Sequence, residues 1–183
     1  YTSKEQTGRN NVHYHHTKKL IMENVTIILV EDQREVLQAI AKDLEKFEEL
    51  IRIEECESAA EAETVMKQIV DKGDYVAVIV SDHVMPNKSG VDFLIDLNNN
   101  PTFKRTRKIL LTALATHQDT IQAINKANID LYLEKPWKKE ELVFAVSTML
   151  THYILDAGLD YTPYVSLLNS EILFTRLRNA SDV

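Results

Sequence analysis

Two stretches of the chain consist almost entirely of apolar and β-branched residues. They read VTIILV over Val25–Val30 and YVAVIV over residues 75–80. Because side chains alternate between the two faces of a strand, an unbroken apolar run indicates a strand that is covered on both faces. Residues 109–111 and 131–133 form shorter runs of this kind, whereas residues 51–56 alternate and then become polar, as an edge strand does. The pattern predicts five strands.

The segments between these strands carry apolar residues at helical spacing, first at Val36, Ile40, Leu44 and Phe47. Three helix starts are marked by a capping residue followed by an acidic one: Ser58 and Glu61, Ser89 and Asp92, Thr116 and Asp119. Gly73 is placed to end the second helix. Alternating strands and helices require a parallel sheet with helices on both faces. We therefore predict an α/β fold of the flavodoxin-like, doubly wound (βα)5 type, with strand order 2-1-3-4-5.

Composition limits the classes of function. The chain has 183 residues, enough for one compact domain with extensions, and a net charge of −7 argues against direct binding to nucleic acid or to an anionic membrane. Cys56 is the only cysteine, and no apolar run is long enough to span a membrane, so we expect a cytoplasmic setting. The basic run at residues 104–108 is interpreted as a solvated loop.

Residues 1–22 are polar and lack apolar periodicity, which predicts a flexible N-terminal extension. Met22 leads directly into the first strand and is interpreted as the natural start of the protein. The main domain is then expected over residues 23–157.

Polar residues follow four of the predicted strands. Glu31 and Asp32 follow the first, Asp82 ends the third, Thr112 ends the fourth and Lys135 follows the fifth. Asp32 and Asp82 are 50 positions apart, Asp82 and Thr112 are 30 apart, and Thr112 and Lys135 are 23 apart. A strand–helix unit takes roughly 25–30 residues, so these intervals correspond to two units, one and one. All these residues are predicted to lie on one edge of the sheet, where such folds bind ligands.

Three carboxylates, a hydroxyl and an ammonium group at one edge have an evident chemical use. The carboxylates repel one another, and a hard divalent cation such as Mg²⁺ relieves that repulsion. A phosphoryl group on Asp82 would be neutralised by the metal and by Lys135, while Thr112 donates a hydrogen bond.

The motifs ILVED, VIVSDHVMP with the later Gly90, LLTALA and YLEKPW occur in order along the chain. With them the chain resembles the receiver domain of two-component response regulators. The resemblance implies that Asp82 accepts a phosphoryl group from a sensor histidine kinase or a phosphotransfer protein. It also implies that Asp32 and Asp82 ligate Mg²⁺ directly, that Glu31 acts through water, and that the backbone carbonyl of Val84 is a further ligand.

Thr112 and Tyr132 match the switch pair of this family, in which a hydroxyl moves toward the phosphoryl group and an aromatic ring turns inward. Lys135 matches the lysine that contacts the phosphate, and the Lys135–Pro136 bond matches one that is often cis. Such a protein is not an enzyme beyond its own phosphorylation and dephosphorylation. Glu31 departs from the commoner aspartate. His83 is interpreted as a bystander exposed on its loop, without a chemical role.

Two other classes of protein fit the residues less well. An aspartyl-phosphate phosphatase of the haloacid dehalogenase type would need a second acid at Val84, and a flavin-binding protein would need a phosphate loop where residues 31–34 are charged. A degenerate receiver that acts as a phosphorylation-independent interaction module remains the alternative.

Residues 158–183 form a C-terminal extension in which a further helix is predicted. Thr162 is its expected N-cap and Pro163 its first residue. Its apolar face would comprise Val165, Leu168, Ile172, Phe174 and Leu177. The favoured interpretation is that this helix pairs with a second chain, or leads into an effector, and that phosphorylation alters an interface formed by the fourth and fifth helices. The alternative is that it folds back and completes the receiver core.

Overall fold

The sheet occupies the centre of the protein. The computed structural model describes residues 24–113, 121 and 125–181. Its strands are β1 (Val25–Val30), β2 (Arg52–Cys56), β3 (Tyr75–Asp82), β4 (Arg107–Thr112) and β5 (Leu131–Glu134). They form one sheet in the order β2-β1-β3-β4-β5, and every neighbouring pair is parallel. The predicted strand order is confirmed, and β2 lies at an edge as expected.

Helices cover both faces of this sheet. They are α1 (Arg34–Asp43), α2 (Ala59–Asp71), α3 (Gly90–Asn99), α4 (Lys139–Ala157) and α5 (Ser170–Ser181). The predicted fifth helix is α4 in this numbering, because the helix predicted to begin at Thr116 falls largely outside the described residues. Short 3₁₀ helices span Glu45–Phe47, Pro101–Phe103 and Thr162–Leu167.

The predicted caps at Ser58 and Ser89 are confirmed. Ser58 Oγ accepts a hydrogen bond from the backbone N–H of Glu61 at 3.2 Å, and Ser89 Oγ accepts one from that of Asp92 at 3.1 Å. Gly73, with a φ of +82°, follows the end of α2 in a left-handed conformation that favours glycine. The Thr116–Asp119 pair lies outside the described residues.

The alternation of side chains along β1 divides the core into two layers. Ile27 and Leu29 pack with residues of α1 and α4, whereas Ile28 and Val30 pack with residues of α2 and α3. All six residues of β1 are buried. The continuous apolar run therefore has the expected cause, since both faces of the strand are covered.

The basic run at residues 104–108 is only partly a loop, which corrects the interpretation from sequence. Arg107 and Lys108 are the first residues of β4, and Lys108 is only 2% exposed. Lys108 Nζ donates to the carbonyl of Thr106 at 2.9 Å. Because burial disfavours the charged form, the pKa of Lys108 is lowered, with the nearby carboxylate of Asp130 opposing the shift.

The C-terminal helix begins later than predicted. Thr162 does not cap an α-helix, because it is the first residue of a 3₁₀ helix. Its N–H donates to Asp160 Oδ1 at 2.9 Å. α5 begins at Ser170, where Asn169 Oδ1 accepts a hydrogen bond from the N–H of Ile172 at 3.3 Å. The break between the two helices changes which side chains share a face.

The apolar face of the extension consequently differs from the predicted one. Val165 is 49% exposed and Phe174 is 66% exposed, so neither belongs to it. The buried side chains are those of Tyr164, Leu167, Leu168 and Leu173, and they belong to the core layer that contains α1 and α4. The alternative interpretation therefore holds within this chain, since the extension folds back onto the receiver.

Polar contacts also attach the extension to α4. Ser147 Oγ donates to the carbonyl of Leu167 at 2.6 Å, and Thr151 Oγ1 accepts from the N–H of Asn169 at 2.8 Å. Within the described residues, no helix combines the length and apolar character that crossing a membrane requires.

A network of ion pairs lies at the amino edge of the sheet. Arg107 Nη1 lies 2.9 Å from Asp130 Oδ1, and the same guanidinium group pairs with Asp156 near the end of α4. Asp156 pairs in turn with Arg176 of α5. The network links β4, α4 and α5 at one end of the molecule.

Candidate phosphoacceptor site

The residues predicted from the sequence meet at the carboxyl edge of the sheet. Glu31 and Asp32 directly follow β1, Asp82 and Thr112 are the last residues of β3 and β4, and Lys135 directly follows β5. The strand register places Val30 beside Ser81, Asp82 beside Leu111 and Thr112 beside Glu134. Because β1, β3, β4 and β5 are neighbours in the sheet, all five side chains lie on one rim.

Three carboxylates form a tight cluster at this rim. One oxygen atom from each of Glu31, Asp32 and Asp82 lies within 4.8 Å of the others. Glu31 is 0% exposed and Asp82 is 5% exposed. Oδ1 of Asp32 is buried and has no hydrogen-bond partner among the described residues. A buried carboxylate oxygen that lacks a donor is costly, and a divalent cation coordinated by this cluster would satisfy it. The donor set therefore fits Mg²⁺, which prefers oxygen ligands.

Lys135 lies between two of these carboxylates. Its Nζ is 2.6 Å from Asp82 Oδ1 and 2.7 Å from Glu31 Oε2. Burial alone would lower the pKa of Lys135, but the hydrogen bonds to Asp82 and Glu31 raise it overall. Burial raises the pKa of Glu31, as does the charge of Asp82, whereas Lys135 and the N–H of Gln33 act in the opposite direction. The ammonium group is therefore held in its charged form beside the candidate acceptor.

The backbone fixes the position of Lys135. The Lys135–Pro136 peptide bond is cis, as predicted. The N–H of Lys135 donates to the carbonyl of Thr112 at 3.0 Å. This hydrogen bond continues the pairing of β5 with β4 as far as Lys135.

His83 is not an exposed bystander, so that interpretation from sequence is wrong. Its side chain is only partly exposed, and its Nδ1 shares a 2.9 Å hydrogen bond with Oγ1 of Thr112. Burial lowers the pKa of His83, against the opposing charge of Asp82. Its position directly after Asp82 was the only signal in the sequence that it belongs to the site.

Gly90 allows α3 to begin against the backbone of the candidate acceptor. A Cβ atom at this position would lie 1.8 Å from the carbonyl oxygen of Asp82. The N–H of Gly90 donates to the carbonyl of His83 at 2.8 Å, closing the loop after β3. The glycine in the motif is therefore required by a close approach of two backbone segments.

The loop after β3 is also held by a lysine that sequence reasoning missed. Lys88 Nζ lies 2.6 Å from Glu63 Oε1 of α2 and 2.6 Å from Asp96 Oδ2 of α3. These partners are distant in sequence from each other, so no local motif indicates the contact. Lys88 ties the loop that carries the site to two helices.

Two predicted site residues lie at the surface of this region. Tyr132 is 47% exposed on β5, and the side chain of Val84 is 66% exposed in the loop after Asp82. Tyr132 therefore points at least partly outward in this structure. The switch role of Tyr132 and the ligand role of the Val84 carbonyl stay predictions.

Two curated relatives of this chain are named as regulatory proteins. The hydrogenase transcriptional regulatory protein HoxA of Bradyrhizobium diazoefficiens is 28% identical over 147 residues, which cover 74% of this chain and 27% of HoxA. The response regulator Rre1 of Synechocystis sp. is 28% identical over 131 residues, covering 70% of this chain and 52% of Rre1. The chain thus spans about a quarter to a half of the length of these relatives.

Solved structures support the fold. The signal receiver domain of an HD domain-containing protein from Pseudomonas fluorescens matches with a TM-score of 0.63 and 24% identity, over 75% of this chain and 95% of that domain. The family model of the response regulator receiver domain matches residues 27–147. This match includes every residue of the rim described above, and the chain belongs to the response regulator receiver domain family.

Proposed function

We propose that this protein takes part in phosphorelay signal transduction by accepting a phosphoryl group on Asp82. The donor would be a phosphohistidine of a sensor histidine kinase or a phosphotransfer protein. The observation that carries the proposal is the bridging position of Lys135 between Asp82 and Glu31, within a cluster of three carboxylates. A fixed positive charge beside a nearly buried aspartate suits the transfer of an anionic group to that aspartate.

The residues of the rim would have distinct roles. Asp82 would supply the attacking oxygen, and the phosphorus–nitrogen bond of the donor would break. Asp32, Asp82 and the Val84 carbonyl would hold Mg²⁺ directly, with Glu31 acting through water. The metal would neutralise charge on the phosphoryl oxygens. Lys135 would contact the phosphoryl group, and the Thr112 hydroxyl would donate a hydrogen bond to that group.

Phosphorylation would then change the surface of the domain. Thr112 and Tyr132 would act as the switch pair, and an inward turn would bury the Tyr132 ring, which is 47% exposed in this structure. The altered surface would control an output partner or formation of a homodimer. Such a dimer would form either through the predicted fourth helix together with α4, or through the C-terminal helix α5.

We also propose that residues 23–157 act as the receiver unit and that residues 158–183 extend it, within a cytoplasmic protein. Burial raises the pKa of the Cys56 thiol to about 12, which makes this side chain unreactive near neutral pH.

Labelling with a small phosphodonor tests the proposal. The full chain, incubated with Mg²⁺ and radiolabelled acetyl phosphate, should take up one acid-labile label per chain. Asp82→Asn should abolish this, because an amide is a poor nucleophile and a poor metal ligand, and chelation of Mg²⁺ should have the same effect.

Asp71→Asn is a matched control, since Asp71 lies on α2 with its side chain 64% exposed. Labelling of the Asp71→Asn variant should equal that of the unaltered chain. Label that persists in the Asp82→Asn variant, or that maps to His83, would contradict the assignment.

A further inference from the structure

The side chains of His83 and Thr112 connect two strand ends within the site. Their hydrogen bond joins Nδ1 of His83 to Oγ1 of Thr112 over 2.9 Å. The backbone of His83 is held as well, since its N–H donates to the Leu111 carbonyl at 3.0 Å and its own carbonyl accepts from the N–H of Gly90 at 2.8 Å. With both backbone groups bonded, His83 can follow a displaced Thr112 only by rotating its side chain.

We propose that His83 is a positioning residue that holds the Thr112 hydroxyl in its unphosphorylated place and so opposes switching. This inference rests on the proposed function, in which Thr112 moves toward a phosphoryl group on Asp82. That movement lengthens the bond to His83 beyond hydrogen-bonding distance. The new contact between Thr112 and the phosphoryl group must therefore offset the loss of an existing one.

The size of the effect follows from the energy of one hydrogen bond. A ligand shifts a conformational equilibrium only by its difference in affinity for the two states. Loss of one ordinary hydrogen bond corresponds to about a twofold to tenfold change in an equilibrium constant. Removing the His83–Thr112 bond should therefore strengthen apparent binding of a phosphoryl mimic by that factor.

Two substitutions separate hydrogen bonding from shape. In His83→Asn, a polar atom occupies the same branch position as Nδ1 and can keep the bond to Thr112. In His83→Leu, a methyl group of similar size occupies that position and cannot form the bond. The two variants thus differ chiefly in the interaction under test, and His83→Ala provides a second variant without it.

Binding of beryllofluoride, a phosphoryl mimic, is measured by ¹⁹F NMR on the full chain at saturating Mg²⁺. His83→Leu and His83→Ala should reach half-saturation at a concentration about twofold to tenfold lower than the unaltered chain. His83→Asn should stay within twofold of it. When Thr112→Val is added, the leucine and asparagine variants should become equal, because the partner hydroxyl has been removed.

The outcomes distinguish this inference from the proposed function. If the unaltered chain binds no beryllofluoride, the proposed function fails. If it binds, but the leucine and asparagine variants agree, or the leucine variant binds more weakly, only the role of His83 is overturned. That role is also overturned if the difference between the two variants persists in the Thr112→Val background.

Discussion

Lys135 Nζ lies 2.6 Å from Oδ1 of Asp82, so the candidate phosphoacceptor is already paired with a cation before any phosphoryl group arrives. The same ammonium group also contacts Glu31. One lysine therefore neutralises part of a carboxylate cluster that would otherwise repel itself. Phosphorylation would exchange one anionic partner of Lys135 for another.

Replacing Lys135 with alanine should separate metal binding from phosphoryl transfer. Lys135→Ala should still bind Mg²⁺, because an ammonium group cannot ligate a cation and the three carboxylates of the cluster remain. Labelling from acetyl phosphate should fall by about a hundredfold or more, as when a group that stabilises transition-state charge is removed. Mg²⁺ binding is followed by the fluorescence of Trp137, the single tryptophan of the chain.

Lys139→Ala is the control for this experiment, since Lys139 follows closely in sequence but pairs with Glu45, at 3.7 Å, rather than with the rim. It should be labelled normally. Normal labelling of the Lys135→Ala variant would count against the proposed role of the site.

Gly90→Ala should impair the site through its backbone. The added Cβ would lie 1.8 Å from the Asp82 carbonyl oxygen, so α3 or the end of β3 must shift. Both the free energy of unfolding and the rate of labelling should fall. Gly73→Ala is the matched control. An alanine there would be strained by the φ of +82°, but its Cβ would meet no atom within 4 Å. This variant should lose about 1 kcal/mol of stability, as measured by denaturant unfolding, and keep its normal rate of labelling.

Lys108→Met should stabilise the protein at neutral pH. The charged amine is buried, and a methionine of similar size avoids that desolvation cost. The pKa of Lys108 is lower in the folded chain than its ordinary value of 10.5. Below its lowered pKa the lysine is charged in both states, and the cost is fully present. As pH rises from that value toward 10.5, the folded chain releases the proton before the unfolded chain does, so the unaltered protein gains stability.

The advantage of the Lys108→Met variant should accordingly shrink as pH rises through this window, by at most about 1.4 kcal/mol per pH unit. Differences in unfolding free energy between the variant and the unaltered chain isolate this group from other titrations. Lys104→Met, at an exposed position, should show no such trend. A constant difference across the window would refute the assignment.

Truncation of Tyr164 should destabilise the protein far more than truncation of Phe174. Tyr164 is 1% exposed within the core, so Tyr164→Ala should reduce the free energy of unfolding by about 3 kcal/mol or more. Phe174 is 66% exposed, and Phe174→Ala should change it by about 0.5 kcal/mol at most. Denaturant unfolding measures both. A larger loss for Phe174 would favour the helix face predicted from the sequence.

Much of the fold could be predicted because burial leaves a strong mark on sequence. The runs that became β1 and β3 are apolar on both faces, and the strand ends carry their polar residues at regular intervals. The positions of Asp82 and Lys135 follow from topology alone, because parallel strands present their carboxyl ends together.

Other features depend on contacts that no local pattern reveals. Lys108 resembled a loop residue, since a buried lysine is rare and its neighbours are basic. The contact of His83 with Thr112 depends on how the loop after β3 closes, and the late start of α5 coincides with a hydrogen bond that Asn169 Oδ1 accepts from the N–H of Ile172. Each outcome is decided by one or two specific hydrogen bonds rather than by periodicity.

The ion pairs among Arg107, Asp156 and Arg176 anchor α5 at the amino edge of the sheet, at the opposite end of the strands from Asp82. A rearrangement confined to the rim would therefore leave this anchor in place. A spin label on the exposed surface of α5 would therefore serve as a fixed reference position. A second spin label beside Tyr132 would report the movement of the switch region. The distance between the two labels, measured with and without the phosphoryl mimic, would then give the size of the movement.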